Sequence, residues 1–290
     1  MKAILESVSS VISATRIGNT EFQWGERTYV MGICNLSPDS FSGDGLGSDI
    51  EGALAQAQRM VEEGADIIDV GGESTRPGKE PLPVNDIDEE LRLVIPVIER
   101  LAGAITVPIS VDTYKHGVAS RALEAGASMI NDIWALRQDP RLAQLAAERN
   151  VPIIMMSNQR DGPVNDIMTV ITADLKRATK QAIEAGVPSH NIILDPGIGF
   201  GKSHEQNLEI VRRLAELKTL GQPILLGSSR KSLIGLVLDL PTDQRLEGTA
   251  ATLAIGIANG ADIVRVHDVE QMVRICRMSD AIIRRRTSHD

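Results

Sequence analysis

Cysteine is almost absent. Cys34 and Cys276 are the only two in 290 residues, and they lie far apart in the chain. A disulfide framework needs more, so the expectation is two reduced thiols in a cytoplasmic protein. No cluster of histidine and cysteine has zinc-ligand spacing, which excludes a structural or catalytic zinc site. Long apolar runs are also missing. None approaches the roughly 18 residues that would cross a membrane. Near the N-terminus Lys2 is followed by a weak apolar stretch that Glu6 and several serines interrupt, so no signal peptide is expected. No linker, low-complexity tract or internal domain boundary is visible. Positive charge is in deficit: 30 Lys and Arg face 39 Asp and Glu, for a net charge of −9. That argues against a nucleic-acid surface. Any anionic ligand must be held by a local group of cations, not by the overall field.

What the chain does have is a repeat. EEGADIIDV (62–70), EAGASMIND (124–132), EAGVPSHNIILD (184–195) and ANGADIVRV (258–266) each end a helical segment in glycine and continue into a short apolar strand. Glycine is the usual residue just past a helix C-terminus, because it enters the left-handed region cheaply. The repeat therefore reads as helix, glycine, strand. The helices fit this pattern: Ala53, Leu54, Ala57, Met60 and Val61 share one face, with Asp49 as the N-cap. Val118, Ala119, Ala122 and Leu123 share another. Four further apolar bursts, YVMGICN (29–35), VPISVD (107–112), VPIIMMS (151–157) and PILLGSS (223–229), complete eight strands. They are continuously apolar, as buried parallel strands are. Eight such units in roughly 260 residues fit a single α/β domain, a (β/α)8 barrel, with a doubly wound open sheet as the alternative. The barrel domain is read over 21–290, behind a leader over 1–20, with EFQWGERTY (21–29) as a short hairpin across the barrel bottom.

Barrel active sites form where strands end, and there the polar residues gather. The eight ends carry Asn35; Asp69; Asp112; Asn131 and Asp132; Ser157, Asn158, Gln159 and Arg160; Asp195; Ser229, Arg230 and Lys231; and Arg265, His267 and Asp268. A lone Asp after a strand is more often a helix cap, but not all of these can be caps. Asp112, Asn131 and Asp195 suit a flat heterocycle bearing several N–H and C=O groups. Arg265, His267, Asn35 and Arg76 suit a phosphate or diphosphate. A diphosphate would bring Mg²⁺, with Asn35 as an oxygen ligand. DPGIGFGKS (195–203) meets neither nucleotide-binding glycine pattern: Pro196 occupies the first glycine of one, and Gly197, Gly199 and Gly201 are misplaced for the other. It reads as a flexible loop that lets a ligand approach the backbone, with Phe200 as an aromatic platform.

Seven stretches, MGICNLSPDSFSGDG (31–45), DIIDVGGESTRPG (66–78), ISVDTYK (109–115), INDI (130–133), LDPGIGFGK (194–202), SSRKSLIG (228–235) and RVHD (265–268), resemble in order and spacing the signature segments of the dihydropteroate synthases. The resemblance spans about residues 29–275 and implies the same barrel. It implies that 6-hydroxymethyl-7,8-dihydropterin diphosphate loses pyrophosphate as the amine of p-aminobenzoate attacks its methylene carbon, giving 7,8-dihydropteroate. By the same resemblance Asp112, Asn131, Asp195 and Lys231 hold the pterin, with Met156 packed on it. Asn35, Arg76, Arg265 and His267 handle the diphosphate and Mg²⁺. Thr75, Pro77, Phe200 and Ser232 adjoin p-aminobenzoate. Lys231, Asp112, Arg265 and His267 are the expected catalytic set. The first and second loops are expected to close over the site, sulfonamides to compete with p-aminobenzoate, and the enzyme to be a homodimer. Two departures stand out: Asp44 is shifted by one position from the family's first-loop aspartate, and Ser157 stands where the family usually has histidine. The alternatives are a pterin-dependent methyltransferase and a non-catalytic pterin-binding barrel. A methyltransferase should lack the STRPG and SRKS pieces, and a binding protein should have lost anion residues. This chain keeps both sets.

Overall fold

The computed structural model describes residues 12–36, 49–73, 86–160 and 165–284. The chain begins with an antiparallel hairpin, β1 (Ala14–Ile17) and β2 (Thr20–Gln23). Strands and helices then alternate: β3 (Tyr29–Asn35), α1 (Ile50–Glu62), β4 (Ile67–Gly71), α2 (Asp88–Ala102), β5 (Ile109–Asp112), α3 (His116–Ala125), β6 (Met129–Asp132) and α4 (Arg141–Arg149). They continue as β7 (Ile153–Met156), α5 (Ile167–Glu184), β8 (Ile192–Asp195), α6 (His204–Arg213), β9 (Leu225–Leu226), α7 (Ser232–Leu238), α8 (Leu246–Ala258), β10 (Ile263–Val266) and α9 (Val269–Ile283). All eight strands from β3 to β10 pair in parallel, in the order β8-β7-β6-β5-β4-β3-β10-β9. A parallel bridge between Leu194 and Ile224 joins the two ends and closes the ring. This is the (β/α)8 barrel read from the repeat, not an open sheet.

The local signals act as expected. The Asp49 carboxylate accepts from Gly52 N at 2.9 Å and starts α1. Gly64, Gly126, Gly186 and Gly260, one in each repeat, take φ between 94° and 120°, where a side chain would be strained. β9 is much shorter than the apolar burst at 223–229. Only Leu225 and Leu226 join the ladder with β10, because the chain leaves it at Gly227 and turns, Lys231 N donating to Ser228 O, to enter α7.

The hairpin also lies earlier than read. Its turn is Gly18–Asn19, with Gly18 at φ 57°, a pair that suits a two-residue loop, and residues 14–20 of the supposed leader belong to it. Residues 25–28 only connect it to β3. The hairpin supplies Ile17 and Phe22 to an interior cluster with Tyr29, Met31, Ile67, Met129, Ile154, Ile193, Leu225 and Ile263. Their neighbours Val30, Ile68, Ile130, Met155, Leu194 and Val264 face outward to the helices. Side chains alternate along a strand, so positions two beyond the plug also face inward, one step nearer the mouth. Those positions are Asp69, Asn131, Met156, Asp195 and Arg265.

Candidate active site

Arg265 lies at the centre of this inward layer. Its Nε donates to Asp69 Oδ2 at 2.6 Å and an Nη donates to Asp112 Oδ2 at 2.8 Å. Asn131 Nδ2 donates to the same Asp69 oxygen at 3.0 Å. Cross-strand register sets Asn35 beside Gly71, Gly71 beside Asp112, and Asp112 beside Asn131. A side chain at Gly71 would press on Asp112 Cβ at 3.3 Å, so glycine keeps this row open. Burial pushes Asp112 up to about 7, against the pull of Arg265.

Across the mouth, Asp195 accepts from Gly197 N at 2.6 Å. Burial raises its pKa, opposed chiefly by Lys231. Lys231 Nζ donates to Ile198 O at 2.6 Å and sits 4.7 Å from the centre of the Phe200 ring. Burial lowers Lys231 to about 8 and Lys202 to about 7, Asp195 opposing in both cases. Phe200 packs with Tyr114, Ile133, Trp134 and Met156, so an apolar wall stands beside these ionic groups. Arg160 lies 4.7 Å from the same Phe200 ring. His267 Nδ1 shares a 2.9 Å hydrogen bond with Ser229 Oγ, which fixes the imidazole. Ser232 opens α7 and is exposed.

This arrangement offers carboxylates and an amide interleaved with cations, Arg265 with Asp69 and Asp112 and Lys231 near Asp195, beside an apolar wall. It suits a flat polar heterocycle joined to an anionic leaving group. The chain matches the family described as pterin binding enzyme over residues 31–267. Dihydropteroate synthase of Bacillus subtilis (strain 168) is 50% identical over 281 residues, covering 96% of this chain and 98% of that one. The chain belongs to the dihydropteroate synthase family. A solved dihydropteroate synthase from Clostridium difficile, in the presence of pteroic acid, is 51% identical with a TM-score of 0.85, covering 91% of this chain and all of that one. One from Xanthomonas albilineans with 4-aminobenzoic acid is 39% identical with a TM-score of 0.86, covering 93% and 98%. These names agree with the synthase expectation and not with the methyltransferase or non-catalytic alternatives. The family's enzymes are transferases of folate biosynthesis.

Of the residues expected in such a synthase site, the barrel places Asn35, Asp112, Asn131, Met156, Asp195, Phe200, Lys231, Ser232, Arg265 and His267 at or just beyond the C-terminal ends of strands. Thr75, Arg76, Pro77 and the shifted Asp44 lie outside the described residues. Asp132 serves structure instead. It faces away from the mouth and accepts from Trp134 N and Leu136 N, supporting a turn in which Ala135 and Leu136 take φ of 48° and 65°. Asp69 and Ser229 were read as strand-end residues and Lys202 as part of the glycine loop, but none was given a role: Asp69 is the partner of Arg265, Ser229 is the partner of His267, and Lys202 Nζ donates to Ser157 O at 2.8 Å. Period-two spacing from Ile67 would have aimed Asp69 into the barrel interior.

The glycine loop is not the flexible feature the sequence suggested. Side chains at Gly197 and Gly201 would collide with the backbone of Ser157 and of Gln159–Arg160, and both glycines have positive φ, 72° and 69°. They seat the β8 loop on the β7 loop. Ser157 is fully buried, and its hydroxyl accepts from Gln159 Nε2 at 2.9 Å.

Proposed function

We propose that the barrel mouth condenses 6-hydroxymethyl-7,8-dihydropterin diphosphate with p-aminobenzoate to give 7,8-dihydropteroate and pyrophosphate, with the labour divided by strand. Asp112, Asn131, Asp195 and Lys231 take the pterin, with Met156 against the ring. Asn35, Arg76, Arg265 and His267 take the diphosphate. Thr75, Pro77, Phe200 and Ser232 surround p-aminobenzoate. The bond that breaks is methylene carbon to diphosphate oxygen, and its electron pair leaves with pyrophosphate. The arylamine lone pair then forms the C–N bond, and the amine loses one proton. Positive charge grows on the methylene and negative charge on the diphosphate. Preoriented carboxylates and cations stabilise both.

The observation that carries this reading is the 2.8 Å contact between Arg265 and Asp112. It joins a residue of the diphosphate set to one of the pterin set, which supports a reading in which the breaking C–O bond lies near that junction. Arg265→Lys keeps a cation for buried Asp69 but loses the guanidinium fork. It should weaken binding of the diphosphate substrate about 10- to 100-fold and leave binding of 6-hydroxymethyl-7,8-dihydropterin unchanged in calorimetry. Equal losses for both ligands would refute the division.

Asn35 would hold Mg²⁺. Its side-chain amide oxygen is a hard ligand of the kind Mg²⁺ takes, and the diphosphate oxygens would supply others. When bound, it supplies charge neutralisation on the leaving group.

The same reading includes a cytoplasmic homodimer. Both cysteines are buried and neither is in a disulfide, and among the described residues no helix is long and apolar enough to cross a membrane. Leu236 and Val237 of α7, Ile255 of α8, and Met278 and Ile282 of α9 are large, apolar and exposed. These helices are consecutive neighbours, and a second copy would cover their shared face. Sedimentation equilibrium at micromolar concentration should return twice the 31.3 kDa chain mass, and a monomer would overturn this part. Recovery in a membrane or secreted fraction would overturn the location.

A further inference from the structure

His267 immediately follows β10, and Ser229 lies just past β9. The two strands pair Leu225 with Ile263 and Leu226 with Val264. Continued at the same spacing, that register sets Gly227 beside Arg265 and Ser229 beside His267, although the ladder has ended. A Cβ at Gly227 would stand 3.8 Å from Arg265 Cβ, so the two chains do stay side by side. Ser229 Oγ and His267 Nδ1 are 2.9 Å apart. The next residues pair again: Arg230 Nε donates to Asp268 Oδ2 at 2.9 Å, and its Nη2 donates to Oδ1. Two consecutive rungs therefore join the turn after β9 to the turn after β10. Helix α8 holds the first turn from behind. Thr252 Oγ1 shares a 2.9 Å hydrogen bond with Ser228 Oγ, Thr249 Oγ1 accepts from Arg230 N at 3.1 Å, and Arg245 Nη1 donates to Arg230 O at 2.9 Å. Arg230 takes φ of 54°, a backbone conformation that persists in an arginine only where its surroundings impose it.

The Ser229 hydroxyl decides which ring nitrogen of His267 carries the proton. Ser229 is 3% exposed. A hydroxyl has one proton and two lone pairs. His267 N donates to Ser229 Oγ at 3.3 Å and takes one lone pair. If Nδ1 also carried a proton, it would take the second, and the buried hydroxyl proton would have no acceptor among the described residues. Leaving a buried donor unsatisfied is costly. With Nδ1 unprotonated, the hydroxyl donates to it and each of these groups is satisfied. The proton of the neutral imidazole then sits on Nε2. We propose that Ser229 is a positioning residue for the leaving group: it fixes the orientation of the His267 ring and keeps the proton on Nε2, so that the imidazole meets a diphosphate oxygen as a donor. The opposite tautomer would set a lone pair against the anion. The inference rests on the role given above to His267.

The test combines nitrogen-15 NMR of protein labelled in its histidine rings with calorimetry. His267→Ala, which loses one set of ring signals, identifies those of His267. At about pH 8, above the ordinary histidine range, the wild type should show a protonated Nε2 and an unprotonated Nδ1; a protonated Nδ1 would overturn the proposal. Ser229→Ala should mix the two tautomers. It should also raise the dissociation constant of dihydropterin diphosphate about 10-fold, the worth of one hydrogen bond to a charged group, and leave that of 6-hydroxymethyl-7,8-dihydropterin at its wild-type value. Ser229→Thr keeps the hydroxyl and should restore both the spectrum and the affinity. If Ser229→Ala does not fold, Ser229→Cys, a weaker donor, should give a smaller change of the same sign. A purely structural role would lower the melting temperature and weaken both ligands equally, and that result overturns the proposal. His267→Ala separates the two readings. If it weakens diphosphate binding while Ser229→Ala does not, the positioning role alone falls. If His267→Ala binds the diphosphate as tightly as wild type, the assignment of His267 falls and takes the role of Ser229 with it.

Discussion

Arg265 and Asp69 are 196 residues apart, yet their 2.6 Å bond sets the geometry of the mouth. The sequence made Arg265 visible as a cation at a strand end. It did not make Asp69 visible as its partner, because that pairing depends on which face of β4 meets the barrel interior. Asp112 and Lys231 were legible by the same rule, but the cost of placing them was not. Asp112 is raised from 3.8 to about 7, so between those values the folded protein holds a proton that the unfolded chain has lost. Stability must then fall as pH rises through that window, on the order of 1 kcal/mol per pH unit. Lys231, lowered from 10.5 to about 8, works from the other side: its contribution is present above 10.5 and is lost as pH falls through about 8. These two groups thus oppose folding near neutral pH. Asp112→Asn removes the first titration. Urea unfolding at a series of pH values between 4 and 7 should show the wild type losing stability relative to this variant as pH rises; parallel curves would show that Asp112 does not oppose folding.

The helix–glycine–strand repeat and the Asp49 cap were readable because both depend on local backbone preference. β9 and the hairpin were misplaced because their limits depend on contacts distant in sequence. β9 stops where Gly227 leaves the ladder, and the hairpin is fixed by what Phe22 buries. Phe22 has no exposed surface, stacks with Trp24 and packs at a tilt against Tyr29, ring centres 5.9 and 4.7 Å away. It plugs the barrel at the strand starts, opposite the mouth. Phe22→Ala should cost about 3–5 kcal/mol of unfolding free energy while leaving kcat and both KM values unchanged well below the melting temperature. A selective change in either KM would show that the plug shapes the site. Between β7 and β8 the lesson is different. Gly197 and Gly201 were read as room for a ligand, but their freedom is spent on contact with the neighbouring loop, a tertiary fact that glycine spacing alone does not encode.

Few aromatic residues are available to the whole molecule, and the described ones are divided between its two ends. Phe22, Trp24 and Tyr29 gather at the bottom, and Tyr114, Trp134 and Phe200 line the mouth. Charge is divided as well. The chain is net −9, yet Arg160, Lys202, Lys231 and Arg265 converge on the same end of the barrel, so an anionic substrate meets a local field opposite in sign to the net charge. The barrel and most strand-end residues were legible because parallel strands keep their polar groups at one end; the pairing of buried Lys115 with Glu73 and Glu90 was not, because it joins residues from separate elements. The most direct measurement is turnover of wild type and Lys231→Ala side by side, with Mg²⁺, dihydropterin diphosphate and p-aminobenzoate, following pyrophosphate and dihydropteroate together. The wild type should release the two products in equal amounts, and Lys231→Ala should lose about 1,000-fold or more of the rate. No wild-type turnover above background, or full activity in Lys231→Ala, would contradict the assignment of the barrel mouth.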